Sequence, residues 1–125
     1  MRFIPTSAHG ILDYLVGLAL LAAPWLFGFS DNETARWVTM AFGAAAILYS
    51  LLTDYEMGVI RAIPMPVHLA LDAMSGILLA ASPWLFGFSE EVWIPHVIVG
   101  VFEIIAALST ETIPGRDDDR VHASR

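Results

Sequence analysis

The sequence predicts an all-α fold: an integral membrane four-helix bundle made of two tandem helical-hairpin repeats. Three observations predict it. The first is a duplicated heptapeptide, Pro24-Trp25-Leu26-Phe27-Gly28-Phe29-Ser30, which recurs as Pro83-Trp84-Leu85-Phe86-Gly87-Phe88-Ser89. The copies lie 59 positions apart, and at that offset His9, Asp13 and Gly17 fall on His68, Asp72 and Gly76. Self-similarity of this size means two copies of one supersecondary unit. The second is composition: 57% hydrophobic and 15% charged residues, with no lysine and a mean hydropathy of +0.66. Soluble domains carry about 25% charged residues. The third is a set of four apolar stretches near the length of about 20 residues that a spanning helix needs. None alternates polar and apolar residues, which disfavours strands.

The first helix is expected from about Ser7 to Phe27, with Thr6 and Ser7 as candidate caps. The second runs from about Ala35 to Leu52, after a short turn at Asp31-Asn32. The third runs from about Val67 to Phe86, with Pro66 suited to its first turn. The fourth, from about Val92 to Leu108, follows a turn at Glu90-Glu91 and is the shortest. The expected organisation is a first membrane repeat with its N-terminal segment over residues 1–56, a cytoplasmic linker over 57–66, a second repeat over 67–112 and a disordered polar tail over 113–125.

Arginines orient the bundle. Arg2, Arg61, Arg116, Arg120 and Arg125 share one side, and only Arg36 lies on the other. The positive-inside rule then places both termini in the cytoplasm of a multi-pass protein of the cell inner (plasma) membrane. Trp25, Trp37, Trp84 and Trp93 all fall at the opposite ends of their segments, at headgroup depth. Both repeats then point the same way, with a pseudo-two-fold axis along the membrane normal. The acidic balance, −7, argues against a nucleic-acid partner. The absence of cysteine excludes disulfides and thiol chemistry.

Pro24 and Pro83 should kink or end their helices, and Gly28 and Gly87 should permit a tight turn or a close backbone approach. The aromatic residues between them read first as an interface anchor and second as a ligand pocket. On these residues the chain resembles the SPW-repeat family of small bacterial membrane proteins. The namesake triplet is Ser82-Pro83-Trp84, and the first copy departs from it with Ala23-Pro24-Trp25. The resemblance spans roughly Pro5 to Thr110 and implies two transmembrane helices per repeat, with the motif in the first of each pair. It implies no reaction, substrate or cofactor. The motif residues carried forward are Pro24, Trp25, Gly28, Ser82, Pro83, Trp84 and Gly87.

Ionisable groups inside a membrane cost roughly 2.5–3.5 kcal/mol each at its centre, so they mark the place to look for function. His9 and Asp13 share one helix face, as do His68 and Asp72. Equal depth along the helices puts Glu103 beside them, forming a candidate intramembrane layer of His9, Asp13, His68, Asp72 and Glu103. His96 falls near the outer surface, apart from this layer. Glu103 has no carboxylate counterpart, because Ala46 aligns with it. Three readings compete. The favoured one is a hydrogen-bonded structural layer joining the first and third helices. The second is a proton or cation site. The third is a metal centre, for which no HExxH, ExxH or cysteine pair is present. The expectation is therefore no metal and no cofactor.

Gly76 with Ala80, and Ala41 with Ala45, offer small-residue spacing for close helix contact. Ser75 and Ser82 have no recognisable nucleophile setting. The resulting expectation is a non-enzymatic structural or interaction module of the lipid bilayer, self-associating first as a homodimer. The alternative is a proton- or cation-handling protein.

Overall fold

The structure is a computed structural model, and it describes residues 2–113. Residues 114–125 of the expected polar tail, with Arg116, Arg120 and Arg125, lie outside the described residues. Four helices follow in order: α1 (Thr6–Leu26), α2 (Glu33–Leu51), α3 (Met65–Leu85) and α4 (Ile94–Ser109). No strand occurs among the described residues, only two isolated bridges. The fold is all-α, as the long apolar stretches without alternation predict.

Helix starts follow local chemistry, with one correction. Thr6 and Ser7 do not cap α1; the cap position is Pro5, with no side-chain hydrogen bond. The Thr6 hydroxyl is turned instead to Glu56, donating at 2.6 Å to Oε1. The tertiary contact outcompetes the local one. Asn32 caps α2, its Oδ1 accepting from the Ala35 amide at 3.0 Å. Pro66 occupies the first turn of α3, as expected.

The duplicated heptapeptide is a helix stop. Both helices run two residues past their proline, so the proline does not itself end them. Gly28 (φ +73°) and Gly87 (φ +76°) adopt the left-handed conformation that favours glycine. The Phe29 amide then reaches back to the Pro24 carbonyl at 2.8 Å, and Phe88 to Pro83 at 2.7 Å. This six-to-one bond is the signature of a Schellman cap. Among the described residues nothing lies within 4 Å of a Cβ placed at either glycine, so it is the turn, not a close contact, that demands it.

Within each hairpin the helices touch backbone to backbone. A Cβ on Gly43 would lie 2.7 Å from the Gly17 carbonyl oxygen, and one on Gly100 would lie 2.5 Å from that of Gly76. Gly17 and Gly76 are 59 apart, and Gly43 and Gly100 are 57 apart, so the two contacts are copies of each other. Gly76 and Ala80 thus do serve packing. Ala41 and Ala45 do not: both are exposed, because Gly43 and Ala46 turn the opposite face of α2 inward.

The repeats are tied together at the end that carries the N-terminus. The Phe3 and Ile4 amides donate to the Ser109 carbonyl, and the Glu111 amide to that of Ile4. Its copy is made by Ala62 and Ile63 on Leu52, and by Asp54 on Ile63. At the opposite end Ala23, Phe29, Ala35 and Phe88 form a buried cluster.

Much of the helix surface is apolar, and the interior mixes apolar with polar side chains. Leu15, Leu18, Leu48, Ile77, Leu78, Ile98 and Ile105 are all exposed, while Thr6, Thr39, Ser50, Thr53, Ser82, Thr110 and three histidines are buried. A soluble bundle does the reverse. α1 and α3 are each long and apolar enough to cross a membrane; α2 is less apolar, and α4 is apolar but only 16 residues long.

Candidate functional site

Four of the five expected layer residues converge. His9 and Asp13 project from α1 and His68 and Asp72 from α3, in each case one helical turn apart on one face. His9 Nε2 lies 2.6 Å from Asp72 Oδ2 and 3.1 Å from Asp13 Oδ1. His68 Nε2 lies 2.9 Å from Asp13 Oδ2 and 3.2 Å from Asp72 Oδ2. The shorter approach of each histidine is to the aspartate of the other repeat. One ligand-type atom from each of the four residues can be chosen so that all lie within 4.8 Å of one another. The two imidazoles meet edge to face, with ring centroids 5.5 Å apart.

A second tier holds these side chains. His9 Nδ1 is 2.7 Å from the Thr110 hydroxyl, and His68 Nδ1 is 2.7 Å from that of Thr53. Each threonine donates its own proton at 2.6 Å to a carbonyl one turn back, Ala106 and Tyr49 respectively. Each carboxylate accepts a phenol: Tyr55 donates to Asp13 Oδ2 at 2.7 Å, and Tyr49 donates to Asp72 Oδ1. Burial and the Asp13 carboxylate push the Tyr55 hydroxyl well above its ordinary range, so it stays a donor. The linker roofs the site. Tyr55 is buried there, and the Met57 carbonyl accepts from Tyr14 at 2.7 Å.

Glu103, the fifth member, stands next to Ser75, within electrostatic range of Asp72, Asp13 and His9, but outside the four-residue cluster. His96 is apart, as its position implied. Its Nε2 meets the Thr39 hydroxyl at 2.7 Å, and its ring lies between Phe29 and Phe88, 5.4 and 5.1 Å away. It lines a groove of about 570 Å³ with Leu20, Ala23, Phe27, Val92 and Trp93.

The duplicated motif divides its labour. Trp25, Trp84, Leu26, Leu85, Phe27 and Phe86 are exposed, whereas Pro24, Pro83, Ser82, Phe29 and Phe88 are buried. Trp37 and Trp93 are exposed as well. The Ser82 hydroxyl donates to the Leu79 carbonyl at 2.7 Å, a local bond that Ala23 in the first copy does without.

The residues missed at the sequence level were Thr53, Thr110, Tyr49 and Tyr55. Thr53 and Thr110 carry a usable signal, being 57 apart like Gly43 and Gly100. The tyrosines carry none: Ala106 and Thr112 stand 57 positions on.

A family model described as the SPW repeat domain matches residues 7–110. No curated protein and no solved structure matches this chain.

Proposed function

Because the chain belongs to the SPW repeat family and is a small membrane protein, we propose that it is a multi-pass structural or interaction module. In this reading it sits in a bacterial inner membrane with both termini cytoplasmic, and the His–Asp layer locks its two repeats together. The observation that carries this reading is the crossed pairing: His9 is closest to Asp72, and His68 to Asp13. Each repeat thus supplies half of every short contact. The exposed Ala41 and Ala45 offer a smooth face for a second copy, which supports a homodimer.

The test is unfolding in mixed detergent micelles. Replacing both Asp13 and Asp72 by alanine leaves both buried Nε2 atoms without a carboxylate and should cost on the order of 3 kcal/mol. Asp72→Asn keeps an acceptor and should cost about 1 kcal/mol. A double alanine variant as stable as the parent chain rules out the lock.

A second reading, proton or cation handling, is favoured by Glu103. This carboxylate sits beside Ser75 at the edge of the layer and has no equivalent in the first repeat, where Ala46 stands. Proteoliposomes loaded with a pH-sensitive dye test it. Flux that disappears in Glu103→Gln supports handling, and equal flux in both chains dismisses it.

A further inference from the structure

The hydrogen bonds around the lock fix which atom of each imidazole faces the carboxylates. The Thr53 and Thr110 hydroxyl protons are committed to helix carbonyls. Each hydroxyl can therefore only accept from the imidazole Nδ1 facing it at 2.7 Å. Both histidines are held as Nδ1–H tautomers, and in the neutral ring both Nε2 lone pairs point into the space shared with two carboxylates. A lone pair facing a carboxylate at 2.6–3.2 Å is repulsive, so each Nε2 needs either a proton or a metal ion between it and the carboxylates. His68 adds a second sign. Its Nε2 is fully buried and 2.9 and 3.2 Å from two carboxylate oxygens, yet among the described residues none is in line to form a hydrogen bond with it.

We propose that His9, Asp13, His68 and Asp72 form a binding site for one divalent first-row transition ion of the zinc class. The site rests on the lock reading and deepens it: the ion would hold the repeats together at the same four side chains. Two imidazole nitrogens and two carboxylate oxygens are a donor set for such an ion. Tetrahedral zinc with bonds of about 2.0–2.1 Å sets neighbouring ligand atoms about 3.3 Å apart. Asp72 Oδ2 stands 2.6 and 3.2 Å from the two Nε2 atoms, Asp13 offers a different oxygen to each histidine at 3.1 and 2.9 Å, and one ligand atom per residue lies within 4.8 Å of the others, so side-chain rotation has to complete the tetrahedron. Metal-bound histidines characteristically donate their other N–H to an oxygen, and ligating carboxylates are themselves hydrogen-bonded. Here all four ligands have that support, from Thr110, Thr53, Tyr55 and Tyr49. The family of short zinc motifs fails to describe the site because its ligands come as two His-x-x-x-Asp pairs on different helices.

The experiment uses the full chain purified in detergent on a tag without histidines, stripped with chelator and titrated with Zn²⁺. Elemental analysis after desalting should give about one ion per chain, and the unfolding temperature should rise with Zn²⁺. Co²⁺ should give the visible absorption of a tetrahedral N₂O₂ site. Asp13→Asn should weaken Zn²⁺ binding at least tenfold. Thr53→Val and Thr110→Val, which keep all four ligands, should weaken it about 10–100-fold. No retained ion and no thermal shift overturn the proposal, as does equal uptake by the parent chain and a His9→Gln, His68→Gln variant. If the alanine variants of the lock are destabilised while Zn²⁺ does nothing, the lock survives and the metal site fails. If the aspartates prove dispensable for stability, the lock itself fails.

Discussion

Gly100→Ala is the sharpest probe of how the hairpins are built. The added Cβ would lie 2.5 Å from the Gly76 carbonyl oxygen and 2.8 Å from both the Cβ and the amide nitrogen of Ala80. Carbon contacts are comfortable at about 3.5–4.0 Å, so α3 and α4 must separate by roughly 1 Å. The obstructing atoms belong to backbone or to an alanine, and no rotamer change relieves them. Overpacking of this kind costs about 1–3 kcal/mol. Alanine returns about 1 kcal/mol of helix propensity relative to glycine. The net expectation is a loss of about 0–2 kcal/mol, read from reversible unfolding in mixed micelles. The first repeat supplies an internal comparison. In Gly43→Ala the nearest atoms stand at 2.7, 3.0 and 3.0 Å, so the same substitution should cost less there. A Gly100→Ala chain more stable than its parent would show that propensity outweighs packing and that the helices are not in backbone contact.

Gly87→Ala forces a side chain into φ +76° and should cost about 1–2 kcal/mol of detergent stability, whereas Asn should be better tolerated; equal stability of all three chains would remove the Schellman cap as the reason for the glycine. Trp84→Ala should barely change unfolding in detergent, since the ring is 56% exposed, but should reduce the protection of the chain end from aqueous quenchers in bilayers. A large stability loss would reassign that tryptophan to the core. Accessibility tags after Ser30 and after Glu90 should be labelled from outside the cell, and a tag within the 54–61 segment from inside. The inverse pattern would reverse the orientation.

Much of the fold was legible because membrane helices advertise themselves by length and apolarity, and because the duplication doubles every signal. Helix ends within about two residues followed from the Pro-Trp corners and from Pro66. The meeting of His9, Asp13, His68 and Asp72 was legible for the same reason, since a pseudo-two-fold axis brings equivalent residues together. What stayed hidden obeys no repeat. Tyr49 and Tyr55 approach the two aspartates from different settings, one on α2 and one on the linker, and only the folded chain shows their equivalence. Thr6 looked like a cap because its local chemistry suits one, yet Glu56, fifty residues away in sequence, takes its hydroxyl. Ala41 and Ala45 had helix-packing spacing, but spacing does not say which face of a helix is turned inward, and Gly43 decided that instead.

The paired junctions carry an implication for connectivity. Residues 3–4 meet residues 109–111 through the same amide bonds by which 62–63 meet 52–54, yet only the second junction is bridged by continuous chain. The peptide link between the repeats is therefore interchangeable in position. A circular permutant that begins at α3, runs through α4, and passes by a copy of the 54–63 linker into α1 and α2 places every helix where it already stands. Such a chain should reach the same fold and the same His–Asp centre, with the order of its two halves reversed.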